Sequence, residues 1–305
     1  MSRSLVLASA IVLALAAPVA LAGTPINQTR PLGANGEVRV ENIKGSIVVR
    51  TWARPEVRIT GTLGKGAEKL HVEGDASNLE VSVKYPDSRG GWNLWGRDDS
   101  RMEPTILELT IPSRASLEVE SVAANVDVQQ MAGRRLSVSS VSGAVVVTAS
   151  SPGEAEFGNV SGDTTLRITT PRVQVESVSG DVHLQGGLTG EVSMESVSGD
   201  LRLVAPALSE LNLSTVSGDI DARAALRPGG SIDGETLSGT LSLRLPRGTG
   251  ARLRAESFSG DIDSPVGKVD REEHGPGKSL DARLGNGRGD IQLESFSGDV
   301  RLILE

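Results

Sequence analysis

A six-residue motif, Glu-Ser-Val-Ser-Gly-Asp, recurs along this chain at a nearly constant interval. It stands at 176–181 and 195–200, and it returns with Phe in place of Val at 256–261 and 294–299. When weaker copies are included, the motif glycines are separated by 19, 18, 19, 19, 21, 21 and 38 residues. These glycines are Gly143, Gly162, Gly180, Gly199, Gly218, Gly239, Gly260 and Gly298. A fixed period of this length indicates a repeat architecture in which each copy forms the same structural unit.

Each repeat contains two short stretches in which apolar and polar side chains alternate. Apolar residues stand seven and five positions before the glycine, as in Val173 and Val175, and two positions after it, as in Val182. Alternation at period two in stretches rich in Val, Ile and Leu predicts strands with one buried face. The position two before the glycine is also apolar in every copy, and we expect its side chain to lie in the core. Its occupants are Ile43, Val122, Val141, Val160, Val178, Val197, Val216, Leu237, Phe258 and Phe296.

The Ser-Gly-Asp sequence between the two stretches predicts a turn. Gly accepts a positive φ, and the side chains of Ser and Asp bond to nearby backbone groups. Two copies depart from the pattern, because Ala124 stands in the place of the glycine and Thr240 in the place of the Asp. We expect the geometry of those two turns to differ from that of the others.

These strands predict an all-β chain that forms a parallel β-solenoid with about 19 residues per coil. Burying about five apolar side chains in one coil contributes roughly 7–15 kcal/mol, whereas ordering about 19 residues costs roughly 19–38 kcal/mol. A single coil therefore cannot fold alone, and neighbouring coils must complete its hydrogen bonds and cover its inward face. An antiparallel barrel or sandwich is the alternative.

Residues 1–22 predict a secretory signal peptide, because a positive start is followed by an apolar stretch, Leu5 to Leu15, and by Ala20-Leu-Ala. Loss of Arg3 with this leader changes the formal net charge from −8 to −9. No second apolar stretch of membrane-spanning length follows, and an acidic chain without a basic block is unsuited to nucleic acid. The chain has no Cys for a disulfide or a lipid attachment. We expect an exported protein, periplasmic or secreted.

The mature chain, 23–305, is predicted to form one β-solenoid domain. Its opening coils, 23–115, are irregular, and its repeat coils, 116–305, are regular. Two polar, turn-rich insertions at about 85–104 and 264–289 interrupt the repeats. We expect both insertions to project from the stack as loops.

The first insertion carries two of the three tryptophans, Trp92 and Trp95, in a Gly-rich context. Aromatic rings on such a loop can stack on sugars or anchor a protein partner, since they offer a large contact area with few rotamers to freeze. The alternative is that the loop caps an open end of the stack. These two residues are the candidate ligand-binding pair.

The recurring carboxylates are candidate metal ligands. Equivalent residues in a stack lie about 4.8 Å apart, so the motif aspartates form one row, and Glu176, Glu195, Glu235 and Glu256 form a second. Ca²⁺ prefers several oxygens at about 2.3–2.6 Å, and two adjacent carboxylates can share one ion. The simpler interpretation is that each Asp caps its turn by accepting backbone hydrogen bonds. The candidate metal ligands are Asp163, Asp181, Asp200 and Asp219.

The repeated residues give little support to catalysis. The motif serines recur without a histidine beside them, and a nucleophile needs a positioned base. Paired carboxylates perform acid–base chemistry in glycosidases, but residues that recur once per coil follow the fold. Only the insertions depart from the repeat, with Asp87, Asp98 and Asp99 in the first and Glu272 and Glu273 in the second. We therefore expect no catalytic residues and no cofactor.

The chain resembles a bacterial family of exported β-solenoid domains of unknown function, whose members carry the label putative adhesin. The resemblance rests on the leader, the opening segment 36–49, the segment Trp52–Val57 and the run of Ser-Val-Ser-Gly-Asp turns. It covers essentially the whole mature chain and implies the solenoid fold, without catalytic residues to carry over. The resulting hypothesis is a non-catalytic binding or scaffolding protein of the cell envelope, with an envelope protein or glycan as its partner. The alternative is a glycan-acting β-helix enzyme that uses carboxylates of an insertion loop.

Overall fold

The computed structural model describes residues 23–86, 102–273 and 275–305. Within these ranges the chain forms strands and no helix, which confirms the prediction of an all-β chain. It follows that these ranges contain no helix able to cross a membrane. The strands are β1 (Thr24–Pro31), β2 (Glu37–Trp52), β3 (Glu56–Leu63), β4 (Lys69–Gly74), β5 (Asn78–Lys84), β6 (Thr105–Pro112), β7 (Ser116–Gln129), β8 (Arg135–Ser142), β9 (Val145–Ser150), β10 (Glu154–Ser161), β11 (Thr164–Ser179), β12 (Val182–Ser198), β13 (Leu201–Ser217), β14 (Ile220–Ser238), β15 (Leu241–Leu245), β16 (Ala251–Ser257), β17 (Ile262–Asp263), β18 (Val269–Arg271), β19 (Lys278–Leu284), β20 (Gly289–Ser295) and β21 (Val300–Leu304).

Neighbouring repeats in the middle of the chain pair as parallel strands. The strands β11, β12, β13 and β14 lie side by side, with Val173 opposite Val192, Val192 opposite Leu211, and Leu211 opposite Ile232. Residues that touch along the stack are therefore 19, 19 and 21 positions apart in the sequence. The pairing is parallel, unlike that of an antiparallel barrel or sandwich.

Both stretches of each repeat point apolar side chains into one continuous core. Val173 and Val175 before the bend, and Val182 and Leu184 after it, are at most 1% exposed. A bend at the motif glycine separates the two stretches in most copies, whereas β7 runs through Ala124 without interruption. β2 likewise runs through Gly45, so an uninterrupted strand is shared with a copy that keeps its glycine. At Thr240 the strand breaks as in the regular copies, and Thr240 N donates to Asp219 Oδ1 as the motif aspartates do to their neighbours, so the expectation of a different geometry is wrong there.

The position two before the glycine lies outside the core, so the expectation that it is buried is wrong. Nine of its ten occupants, from Val122 to Phe296, are between 45 and 53% exposed, and Ile43 is half-buried. The cause is strand alternation: residues seven, five and three before the glycine face inward, so residue two before it faces outward. The inward position three before the glycine holds a small polar residue in every copy. These buried residues are Asn42, Ser121, Ser140, Asn159, Ser177, Ser196, Thr215, Thr236, Ser257 and Ser295.

Several of these buried polar side chains satisfy the backbone at the bend, whereas the hydroxyl groups of Ser196, Thr215 and Thr236 are buried without a hydrogen-bond partner in the described chain. Ser177 Oγ donates to the carbonyl oxygen of Gly180 at 3.1 Å, and Asn159 Nδ2 donates to that of Gly162 at 2.8 Å. A carbonyl left unpaired in the interior costs about 1–3 kcal/mol. A small hydrogen-bonding residue is therefore favoured at this inward position over an aliphatic one.

The order of the coils in space departs from chain order at both ends of the stack. The last coil, β20 and β21, lies between the coil of β14 and β15 and the coil of β16 and β17. At the other end, β2 lies between β7 and the pair β5 and β6. At these two places successive segments of the chain are therefore not neighbours in the stack. Antiparallel pairs complete the two ends and involve β1, β3 and β4 at one end and β18 and β19 at the other.

The second insertion is partly strand, which corrects the prediction of a projecting loop. Its strand β19 pairs antiparallel with β16 and buries Leu280 and Leu284, because apolar residues alternate along it. Lys278 Nζ, at the start of β19, donates to the carbonyl oxygen of Gly260 at 2.8 Å and also to the carboxylate of Asp261. This lysine ties the insertion to a motif bend. The leader and most of the first insertion lie outside the described residues.

Candidate functional site

An exposed apolar row runs along one side of the stack. It consists of the outward residues two positions before the glycine, and we call it the apolar row. At one end, the rings of Phe258 and Phe296 stack with centroids 4.9 Å apart and planes 10° apart. In spatial order the row is Ile43, Val122, Val141, Val160, Val178, Val197, Val216, Leu237, Phe296 and Phe258. A contiguous exposed apolar surface of this kind marks an interaction site.

An acidic row runs beside the apolar row. It occupies the position four before the glycine. Side chains two positions apart along a strand point to the same face, so this position faces outward like the position two before the glycine. Seven of its ten members are glutamates. In spatial order the acidic row is Glu41, Glu120, Ser139, Gly158, Glu176, Glu195, Ser214, Glu235, Glu294 and Glu256. Glu235 and Glu256 are therefore not adjacent, since Glu294 of the relocated last coil lies between them.

The two rows line a continuous trough, formed by two concave regions of about 860 Å³ and 640 Å³. The regions meet at Ser214 and Val216, which line both. The ten coils along the rows give nine strand spacings of about 4.8 Å, so the trough is about 43 Å long. The apolar position recurs in every coil, whereas Ser139, Gly158 and Ser214 interrupt the glutamates of the acidic row.

The acidic row has few cationic partners. Glu41 lies 4.0 Å from the Nζ of Lys84. In the part of the chain that the structure describes, no Lys or Arg forms an ion pair with Glu176, Glu195 or Glu235. The trough therefore presents uncompensated negative charge at these three glutamates, whereas Arg39 interacts electrostatically with Glu41 and Glu120 at one end and Lys278 lines the other end.

Asp233, two residues before Glu235 on β14, shows the electrostatic consequence. Desolvation by its surroundings raises the pKa of its carboxyl group, and repulsion from Glu210, Asp290 and Glu294 raises it further. The folded protein therefore binds a proton at Asp233 more readily than the unfolded chain does. The charged form of this residue destabilises the fold at neutral pH.

Asp233→Asn is expected to raise the melting temperature at pH 7, because it removes a carboxylate that is surrounded by like charges. The wild type should gain stability relative to the variant as the pH falls from the raised pKa of Asp233 to its ordinary value of 3.8. Melting curves of both proteins between pH 7 and pH 3.5 measure the difference. An advantage of the variant that stays constant over this range would contradict the prediction.

The motif aspartates form a row of hydrogen bonds between coils. Asp181 N donates to the Oδ1 of Asp163 at 3.2 Å, Asp200 N to that of Asp181 at 3.1 Å, and Asp219 N to that of Asp200 at 3.0 Å. These bonds match the interpretation of Asp as a backbone acceptor. Within the described ranges no group of three or more His, Cys, Asp or Glu residues is arranged to hold a metal ion. Calcium binding by the four candidate aspartates stays a prediction.

Most of the other candidate residues lie apart from the trough or outside the described chain, and Glu272 lies at its end. Trp92 and Trp95 belong to residues that the structure does not describe, as do Asp87, Asp98 and Asp99. His183 faces outward beyond the bend, where Arg202 Nη1 lies 3.2 Å from its Nε2. Glu272 borders the end of the trough near Lys278.

The trough itself is the site that sequence reasoning missed. The signal was present, because inward residues at seven and five positions before the glycine require an outward residue at two. The high apolar content of that position favoured a core assignment. Strand alternation gives the correct orientation of this side chain, and its hydrophobicity gives the wrong one.

Comparison with known proteins gives one family and several distant structures. The profile of the Toastrack DUF4097 family matches residues 35–303. No functionally curated protein matches the chain. Similar solved structures include one described as a putative adhesin from Bacteroides fragilis, with 14% identity, coverage of 92% of this chain and 97% of that chain, and a TM-score of 0.40. Another, described as a putative adhesin from Parabacteroides merdae, has 8% identity, coverage of 92% and 97%, and a TM-score of 0.37. A third, described as a putative lipid binding protein from Parabacteroides distasonis, has 10% identity, coverage of 92% and 98%, and a TM-score of 0.33.

Proposed function

This chain belongs to the Toastrack DUF4097 family, and we propose that it is a non-catalytic binding or scaffolding protein of the bacterial cell envelope. In this proposal residues 1–22 are a signal peptide, and the mature protein is periplasmic or secreted. Residues 23–305 form a single β-solenoid with about 19 residues per coil. The partner is an envelope protein or glycan.

The observation that carries this proposal is the trough. Solenoids bind through long surfaces to which every repeat contributes the same contacts. The apolar row exposes hydrophobic side chains that the core does not use, and the acidic row beside it has few cationic partners. A surface of this composition serves contact along its whole length, whereas a reaction centre requires one local departure from the repeat.

Binding to envelope fragments is expected to depend on the apolar row. The double variant Val178→Thr/Val197→Thr keeps β-branched side chains of similar shape but adds a hydroxyl at two exposed positions, so the fold is expected to persist. We expect its affinity for sedimented bacterial envelope fragments to fall about tenfold or more, because apolar contact area is lost. Cosedimentation over a range of protein concentrations measures the affinity.

A matched control lies on the other outward surface, beyond the bend. Val204 is 50% exposed and Val146 is half-buried, and neither lines the trough. Val146→Thr/Val204→Thr makes the same chemical change in the same number of residues. Equal loss of binding in both double variants, or no loss in either, would contradict a binding role of the trough.

A further inference from the structure

We propose that the trough binds the apolar face of a cationic amphipathic α-helix supplied by a partner polypeptide. This inference rests on the proposed function, in that it takes the trough as the binding surface. It adds the chemistry and the conformation of the occupant.

Charge complementarity selects a cationic occupant. Glu176 and Glu195 are directly opposite each other on adjacent strands, so two carboxylates lie about 4.8 Å apart. Within the described residues neither forms an ion pair, although Gln174 Nε2 donates to Glu176 at 2.8 Å. Lysine or arginine side chains of a partner would supply the missing positive charge.

The apolar row requires that the same occupant also be hydrophobic. Val178 and Val197 stand two residues after these glutamates in the same coils and are 45 and 48% exposed. A bound metal ion or polyamine would neutralise the carboxylates but leave the valines in water. An occupant with one apolar face flanked by cationic groups covers both rows at once.

Hydrogen bonding favours a helix over an extended strand. The strands under the trough pair on both sides within the stack, as β12 does with β11 and β13. They offer no free edge to which an extended peptide could add by strand pairing, so its own backbone would gain no partners from the protein. A helix satisfies its backbone internally and binds a groove with side chains alone.

Helical spacing matches the coil spacing. An α-helix advances 5.4 Å per turn, and the coils advance about 4.8 Å. The difference is about 0.6 Å per step, so over four turns the helix stays within about 2.5 Å of the coil register. Cationic residues on successive turns can therefore meet the carboxylates of adjacent coils, such as Glu176 and Glu195, or the run of Glu235, Glu294 and Glu256.

A synthetic helix tests the proposal with the whole exported protein. The probe is a fluorescent 21-residue peptide of leucine and lysine with leucine on one helical face. A second peptide carries glutamate in place of lysine, and a third contains the same leucines and lysines in an order without an apolar face. Fluorescence anisotropy measures the dissociation constant. Circular dichroism at 222 nm measures helix gained on binding, since the described part of the protein contains no helix.

We expect the amphipathic cationic peptide to bind and become helical, and the other two to bind at least about tenfold more weakly. Glu176→Gln/Glu195→Gln is expected to weaken binding about fivefold and Val178→Thr/Val197→Thr about tenfold. The control Glu68→Gln/Glu73→Gln removes the same charge from exposed residues near the end of the stack and is expected to leave the dissociation constant unchanged. Binding should weaken as salt rises.

Several outcomes would overturn the proposal. They are binding without a gain of helix, equal binding of the acidic peptide, and equal affinity for the wild type and both trough variants. Concentration-dependent dimerisation that Val178→Thr/Val197→Thr abolishes would assign the trough to a second copy of the chain. Trough-dependent envelope binding without peptide binding would reject the helix and keep the proposed function. Peptide binding without envelope binding would support the helix and reject the proposed function.

Discussion

Replacing Gly199 with Ala is expected to lower the free energy of unfolding by about 3 kcal/mol. A methyl group at Gly199 would overlap the carbonyl oxygen of Gly180 in the neighbouring coil and lie 2.8 Å from its carbonyl carbon. Both atoms belong to the backbone, so relief requires the two coils to move apart. Such a movement strains the row of hydrogen bonds on either side, including that from Asp200 N to Asp181.

Gly248→Ala is the matched control. No atom lies within 4 Å of the methyl group it would introduce, and its φ is not in the left-handed region. The same substitution there is expected to stabilise the protein by up to about 1 kcal/mol, because alanine restricts the unfolded chain. Urea denaturation of both variants, followed by circular dichroism, gives the two free energies. A Gly199→Ala protein as stable as the wild type would show that the coils are not packed as closely as described.

The row of glycines could be predicted from the period, but its physical cause could not. The sequence suggested glycine for a turn with positive φ, and Gly143 and Gly162 do have φ of 136° and 133°. Gly199 and Gly218 do not have φ in the left-handed region. A side chain at either position would nevertheless overlap the backbone of the neighbouring coil. The requirement comes from contact between residues 19 positions apart, which local turn chemistry does not describe.

The order of the terminal coils was likewise beyond sequence reasoning. The segments 251–257 and 289–295 carry the same alternating pattern, so either suits the place beside β14. The structure places the later segment there, with Ile232 opposite Ile291, and the earlier one outside it. Periodicity identifies which segments are coils, but nearly identical coils do not specify their own neighbours.

Val192→Asn and Val197→Asn are expected to differ by about 3 kcal/mol or more in their effect on stability, although both valines lie in β12. Val192 is 1% exposed and faces the core, and its replacement loses apolar burial and leaves an amide without partners. Val197 is 48% exposed, and its replacement is expected to cost less than about 1 kcal/mol, the range of strand preferences on a surface. Asn carries no charge, so repulsion from Glu195 does not enter the comparison.

The pair of variants decides what the apolar row is for. If stability required the valine at 197, the row would be part of the packing that holds the coils together, and its hydrophobicity would need no partner to explain it. If Val197→Asn folds like the wild type and Val192→Asn does not, the exposed valines contribute little to the fold. Their exposure to water in coil after coil then implies an occupant that covers them. Equal destabilisation by the two substitutions in urea titrations would return the apolar row to the core and remove the basis for a binding trough.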